Sequence, residues 1–144
     1  NVGTGTWRVD MKPSQRTYYL QICEKLNIDP DSQTVSKKVW YGWGGAMGPA
    51  QMLPATWMGY EARIVEITGN NPPSPWNVKD SFVAAALYLV NKGADQKTYN
   101  VEWKAAMMYL AGSNWNKPYL SFYGDQVMDL ADELQEQVDI LEKG

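Results

Sequence analysis

Asn77-Val78-Lys79-Asp80-Ser81-Phe82-Val83-Ala84-Ala85-Ala86-Leu87-Tyr88-Leu89-Val90-Asn91-Lys92-Gly93 is the stretch that decides the fold class. It carries both ends of a helix. Asn77 is an N-cap acceptor, Asp80 sits three residues on in the capping-box position, and Gly93 supplies the stop. No proline interrupts it. Its centre, Ala84 to Leu87, is small and apolar nearly all round, which predicts a central, closely packed helix. Working outward, the pattern repeats. Upstream, Asn70-Asn71-Pro72-Pro73-Ser74-Pro75-Trp76 is a stiff proline connection. A helix is predicted before it, from Pro54 to Thr68, with Trp57, Tyr60, Ile64 and Ile67 as its stripe and Gly69 as its stop. The first predicted helix runs from about Ser14, as cap, to Leu26, with Tyr19, Ile22, Cys23 and Leu26 inward. Downstream, a helix is expected over Val101–Ala111, capped by Asn100, with Trp103, Ala106, Met107 and Leu110 inward. Gly112-Ser113-Asn114-Trp115 turns the chain into a last helix from near Pro118 to about Leu141, bent at Gly124. Its stripe of Val127, Leu130, Leu134, Val138 and Leu141 is expected to pack with Leu110; a short coiled-coil pairing over about two heptads is the alternative. No stretch reads convincingly as a strand. The expected fold is one all-α domain of about five helices, with residues 31–53 as one long irregular loop.

Composition narrows the chemistry. The chain has 144 residues, 13 basic against 16 acidic, for a net charge of −3. That balance argues against a general nucleic-acid binder, because phosphate neutralisation needs a basic face. There is no histidine, so a Ser-His-Asp triad and histidine metal sites are absent. One cysteine, Cys23, forms no internal disulfide and no four-cysteine zinc site. Its place on an apolar stripe marks it as core. Proton transfer would fall to carboxylates, lysine or tyrosine. Seven Trp and nine Tyr against two Phe favour rings with a polar edge, which suit wet grooves and sugar faces as well as the core. The longest apolar run, Phe82 to Val90, is far short of the roughly 20 residues needed to span a membrane.

The long loop holds Trp40, Tyr41 and Trp43, then Gly44-Gly45-Ala46-Met47-Gly48-Pro49-Ala50-Gln51. A phosphate-binding reading fails, since no Lys-Ser/Thr follows the glycines and no strand precedes them. What remains is a tight loop that lets backbone approach a ligand, with the Gln51 amide able to donate and accept beside it. The plainer alternative is a turn shaped by Gly and Pro, with Gln51 as a local cap.

Gly45-Ala46-Met47-Gly48-Pro49-Ala50-Gln51-Met52-Leu53-Pro54-Ala55-Thr56-Trp57 resembles the G-A-M-G-P-x-Q-F-x-P-S-T-W stretch of peptidoglycan lytic transglycosylases, of the membrane-bound lytic transglycosylase B type. Pro75 to Asp80 followed by Ala84 to Leu89 is similar to that family's P-W-N-x-x-D-A…A-A-x-Y-L helix. Tyr109-Leu110-Ala111-Gly112-Ser113 resembles its late A-Y-N-A-G motif, and Asn1-Val2-Gly3-Thr4-Gly5 the residues after its E-S motif. Together these cover most of residues 1 to 125. The resemblance implies a lysozyme-like helical fold with a groove for the β-1,4 MurNAc–GlcNAc chain. It implies a location where peptidoglycan is, in the periplasm or outside the cell. One glutamate would protonate the glycosidic oxygen and then accept the proton of the sugar's C6 hydroxyl, giving a 1,6-anhydro product without metal or cofactor. Most other glycosidases use two carboxylates.

By the same resemblance, that glutamate falls before Asn1, so the chain is expected to be the greater part of such a domain and to hold no catalytic acid. Met47, Gly48, Pro49 and Gln51 carry over as groove-floor, substrate-binding residues, and Tyr109 as a neighbour of the glutamate whose phenol helps hold it protonated. Leu110 replaces the motif's asparagine, which removes one substrate-contacting amide. Trp40, Tyr41, Trp43 and Trp115 are stacking candidates on their position alone; anchoring the loop is the alternative. Glu24, Glu61, Glu66 and Glu102 read as solvated surface, and Asp10 is the one loop carboxylate kept in consideration. Three functions are thus in play: a transglycosylase domain, a non-catalytic glycan-binding module, and a helical partner acting through the last helix. The expected partner is the glycan strand, met as a monomer or as part of a larger chain.

Overall fold

The computed structural model describes residues 2–40 and 42–144. Asn1, which opens the first motif-like stretch, and Tyr41, a stacking candidate, lie outside the described residues. Helices make up 64% of the structure and no sheet forms among the described residues, so the protein is all-α. Five helices run in order: α1 (Pro13–Leu26), α2 (Pro54–Thr68), α3 (Val78–Asn91), α4 (Tyr99–Ala111) and α5 (Ser121–Lys143), with short 3-10 turns between them. None is long and apolar enough to cross a membrane. The chain divides into two compact units, Asn1–Leu87 and Tyr88–Gly144, with the boundary inside α3.

The first unit packs α1 on α2. Tyr19, Ile22 and Cys23 of α1 and Trp57 and Ile64 of α2 are buried, as their spacing predicts. Ile67 is half exposed instead of completing the stripe. Helix α1 starts one residue before the expected cap. Pro13 takes the first turn, where its missing N–H costs nothing, and Ser14 makes no cap bond. Helix α2 lacks a side-chain cap of its own at Leu53; Gln15 reaches across from α1, and its Oε1 accepts the Ala55 N–H at 2.9 Å. Asn77 caps α3 as expected, accepting the Asp80 N–H at 3.1 Å. Asp80 does not return the bond. Its buried carboxylate accepts from Asn70 Nδ2 (2.7 Å) and Ser74 N (2.9 Å), tying down the proline connection. Helix α3 is not enclosed. Only Asp80, Ser81 and Ala84 are buried, while Phe82 and Val90 are more than half exposed.

The second unit packs α4 on α5. Ala105, Ala106 and Met107 form the inner face of α4, which begins at Tyr99 with no side-chain cap, so Asn100 lies inside the helix rather than before it. Gly124 meets the Trp103 indole so closely that an added Cβ would stand 2.5 Å from Nε1. That nitrogen donates to Asp125 Oδ1 at 2.8 Å. The expected packing of Leu110 with the whole α5 stripe does not occur. Leu110, Leu130, Leu134, Val138 and Leu141 are all exposed, and the buried residues of α5 are Gly124 and Met128.

Candidate functional site

In the first unit the segment predicted as irregular loop is a bulged hairpin. Val35 pairs antiparallel with Met47, Ser36 N donates to Ala46 O at 2.9 Å, and the Ser36 hydroxyl oxygen accepts the Ala46 N–H at 2.9 Å. Val39 and Gly42 exchange bonds at 3.0 and 3.2 Å across the tip. Register slips between these pairs, and the extra residue is absorbed at Gly44-Gly45. Gly45 has φ +97°, and a Cβ on Gly44 would stand 2.1 Å from the Ser36 carbonyl oxygen. Two glycines therefore sit where the bulge leaves no room and demands a positive φ.

The motif Met47–Met52 is a second tight turn. Met47 and Met52 exchange backbone bonds at 2.9 and 3.3 Å, and both side chains are buried. Between them Gly48 (φ +60°) and Gln51 (φ +51°) take left-handed conformations. Gln51 Nε2 donates to Gly48 O at 2.8 Å, and the Gln51 N–H donates to the same oxygen at 3.1 Å. Its Oε1 accepts no bond from the described residues. A Cβ on Gly48 would stand 1.8 Å from the Pro75 carbonyl oxygen, so the turn is seated directly on the proline connection. Of the four expected groove-floor residues, Pro49 is exposed, Gly48 and Gln51 are partly exposed, and Met47 is a core anchor with no exposed surface. Trp57, which closes the motif, is fully buried, and its Nε1 has no partner among the described residues.

Asp10 knits this region together. Its Oδ2 accepts from Thr6 N at 2.7 Å, its Oδ1 from Lys38 N at 2.9 Å, and its carbonyl from Gly44 N at 3.0 Å. The Lys38 and Thr6 N–H bonds hold its carboxyl below the ordinary range. A general acid needs the opposite shift, so Asp10 is a positioning carboxylate and not a proton donor. Glu61 is not simply solvated: its side chain is 18% exposed and pairs with Lys25 at 2.5 Å. That pair lines a concavity of about 460 Å³ with Ala62, Val65, Asn71, Pro72 and Pro73, which contains none of the motif residues. Glu66 pairs with Arg63 in solvent.

The aromatic candidates divide between the units. Trp40 stands almost fully exposed on the first hairpin. Trp43 is half exposed, with Lys38 Nζ 3.9 Å from its ring centroid. In the second unit Lys104 Nζ lies 4.8 Å from the Trp115 ring centroid. One face of each ring is thus occupied by a cation. Tyr109 is half buried and meets Tyr88 edge to face at 5.1 Å. Burial first, and then Tyr123 and Tyr88, push its phenol up to about 12. It stays a neutral donor across the physiological range. No group of three His, Cys, Asp or Glu side chains is placed to hold a metal among the described residues. No protein-family model matches the chain, and neither a curated protein nor a solved structure is significantly similar to it.

Proposed function

We propose that the chain is a peptidoglycan-binding lytic transglycosylase domain of lysozyme-like type, acting on β-1,4 MurNAc–GlcNAc strands in the cell envelope. The observation that carries this reading is the Met47–Met52 turn. The stretch that resembles the family's glycan-contacting motif is a rigid, self-bonded turn whose surface offers Pro49 and the open Oε1 of Gln51. A preformed polar edge of this kind suits sugar hydroxyls and acetamido groups. Trp43 and Trp115 are the stacking platforms, each already carrying a lysine on one face. Tyr109, held neutral, is the donor that would stand beside the acid–base glutamate of the family's E-S motif. The second reading, a glycan-binding module without catalysis, is favoured by Asp10. The one loop carboxylate kept as a candidate acid is held ionised and committed to backbone donors.

Incubation with purified sacculi, followed by sedimentation and mass spectrometry of the soluble products, tests both. The 144-residue chain is expected to co-sediment with sacculi and to release no anhydro-muropeptides, with Gln51→Ala weakening sedimentation. Release when a segment carrying an E-S glutamate is joined ahead of the chain supports the transglycosylase; continued binding without release supports the binding module. Failure of the chain to co-sediment overturns the glycan reading.

A further inference from the structure

We propose that α5 beyond Met128 is a self-association helix that pairs with α5 of a second copy of this chain. Its apolar residues follow two interleaved seven-residue rows, Val127, Leu134 and Leu141 in one and Ala131 and Val138 in the other. This is the spacing of a coiled-coil seam. The seam lies beside the face that carries the buried Gly124 and Met128, and it is open: Leu134 is 51% exposed, Val138 44% and Leu141 79%.

The charges identify the occupant. From Ser121 to Gly144 there are seven carboxylates and one lysine, whereas the remaining residues carry twelve basic and nine acidic side chains. A basic helix is the first partner this acidity suggests. The placement of the carboxylates argues against it. At 100° per residue, Asp129, Asp132, Glu133, Glu136 and Asp139 all turn away from the seam. The positions flanking the seam are Met128, Leu130, Gln135 and Gln137, with Glu142 alone charged at its end. A basic partner would find little to pair with there. A second copy would bring together two apolar seams bordered by neutral side chains, with the carboxylates on the outer faces. Those outer charges repel one another at low ionic strength, and added salt screens that repulsion, so salt strengthens the pairing. Two heptads place the contact at the small, reversible end of specific interfaces, below about 1,200 Å².

Sedimentation velocity on the whole chain, from about 5 to 500 μM and at about 50 and 500 mM NaCl, reads this directly. The weight-average mass is expected to climb towards twice the monomer value with concentration, and further at the higher salt. Combined Leu134→Glu and Val138→Glu, both at exposed positions, should hold the mass at the monomer value with unchanged far-UV circular dichroism. Ile140→Glu, at a more exposed position off the seam, should leave the climb intact. A chain monomeric at every concentration and both salts overturns the proposal. So does an Ile140→Glu variant as disruptive as the seam pair. Association that salt weakens overturns it too, and marks α5 docking on the basic remainder of another chain.

Discussion

Gly48→Ala is the sharpest perturbation of the motif turn, because two separate costs act at one atom. The first is conformational. At φ +60° an L side chain sits in the left-handed region, which costs about 1–2 kcal/mol. The second is steric. The new Cβ would lie 1.8 Å from the Pro75 carbonyl oxygen and 2.7 Å from its carbonyl carbon. Backbone atoms cannot swing aside as a side-chain tip can, so the turn or the buried Pro75 must shift, at about 1–3 kcal/mol or more. The sum is a loss of about 2–5 kcal/mol, a large share of the 5–15 kcal/mol typical of a folded domain. Two other glycines separate the terms. Gly69, in the left-handed conformation that ends α2, has nothing within 4 Å of its absent Cβ, so Gly69→Ala carries the conformational cost alone, about 1 kcal/mol. Gly59, inside α2 with open space around it, should gain about 0.5–1 kcal/mol on becoming alanine. Urea unfolding of the three variants, followed by tryptophan fluorescence, gives the differences. If Gly48→Ala proves no worse than Gly69→Ala, the turn is not seated on Pro75 and the account of the motif fails.

Gln15→Ala should cost about 1 kcal/mol by stripping the acceptor from the Ala55 N–H, while Gln15→Glu, which keeps an acceptor at a helix start, should cost less; chemical denaturation at pH 7 compares them. Asp10→Asn should cost about 2–3 kcal/mol at pH 7, because one of its two backbone N–H donors would face an amide NH₂. The folded pKa of Asp10 is depressed below 3.8, so its stabilisation is full above the unfolded value and is lost as pH falls through the folded one. Stability curves of wild type and variant should therefore converge only in that acid range. Gly124→Ala should destabilise by about 1–2 kcal/mol through collision with the Trp103 indole, despite the roughly 1 kcal/mol that helix propensity alone would add; a raised melting temperature would contradict the packing of α4 on α5.

Helix α2 is legible to the residue, because proline at its start and glycine at its end are strong local signals. The starts of α1 and α4 are displaced. Ser14 and Asn100 have the right chemistry for caps, but Lys12 and Thr98 stand where the chain turns into the helix. The bulged hairpin escapes a sequence reading because its paired stretches are too short for a period-two pattern, and Gly44-Gly45 breaks what pattern exists. Its glycines and Gln51 are legible as turn formers; the burial of Met47 is not. The duty of Asp10 is invisible for a different reason. Its key partner is the backbone N–H of Lys38, 28 residues away, and a backbone donor leaves no mark on residue identity. In α5 the spacing shows which side chains share a face, but not whether anything lies against it. The exposed Leu134 and Val138 make that difference plain.

The bond from Gln15 to Ala55 also ties the integrity of one helix to the presence of the other. A helix must fix its first turn before propagation is favourable, and α2 begins without a cap from its own neighbours. The acceptor arrives only when a residue forty positions earlier is already presented on α1. Excised as a peptide, α2 would fray at its first turn; in the chain, that turn is held by the acceptor α1 presents. The start of α2 is therefore firm only where the two helices are together, and the motif turn that leads into Pro54 adjoins that shared anchor.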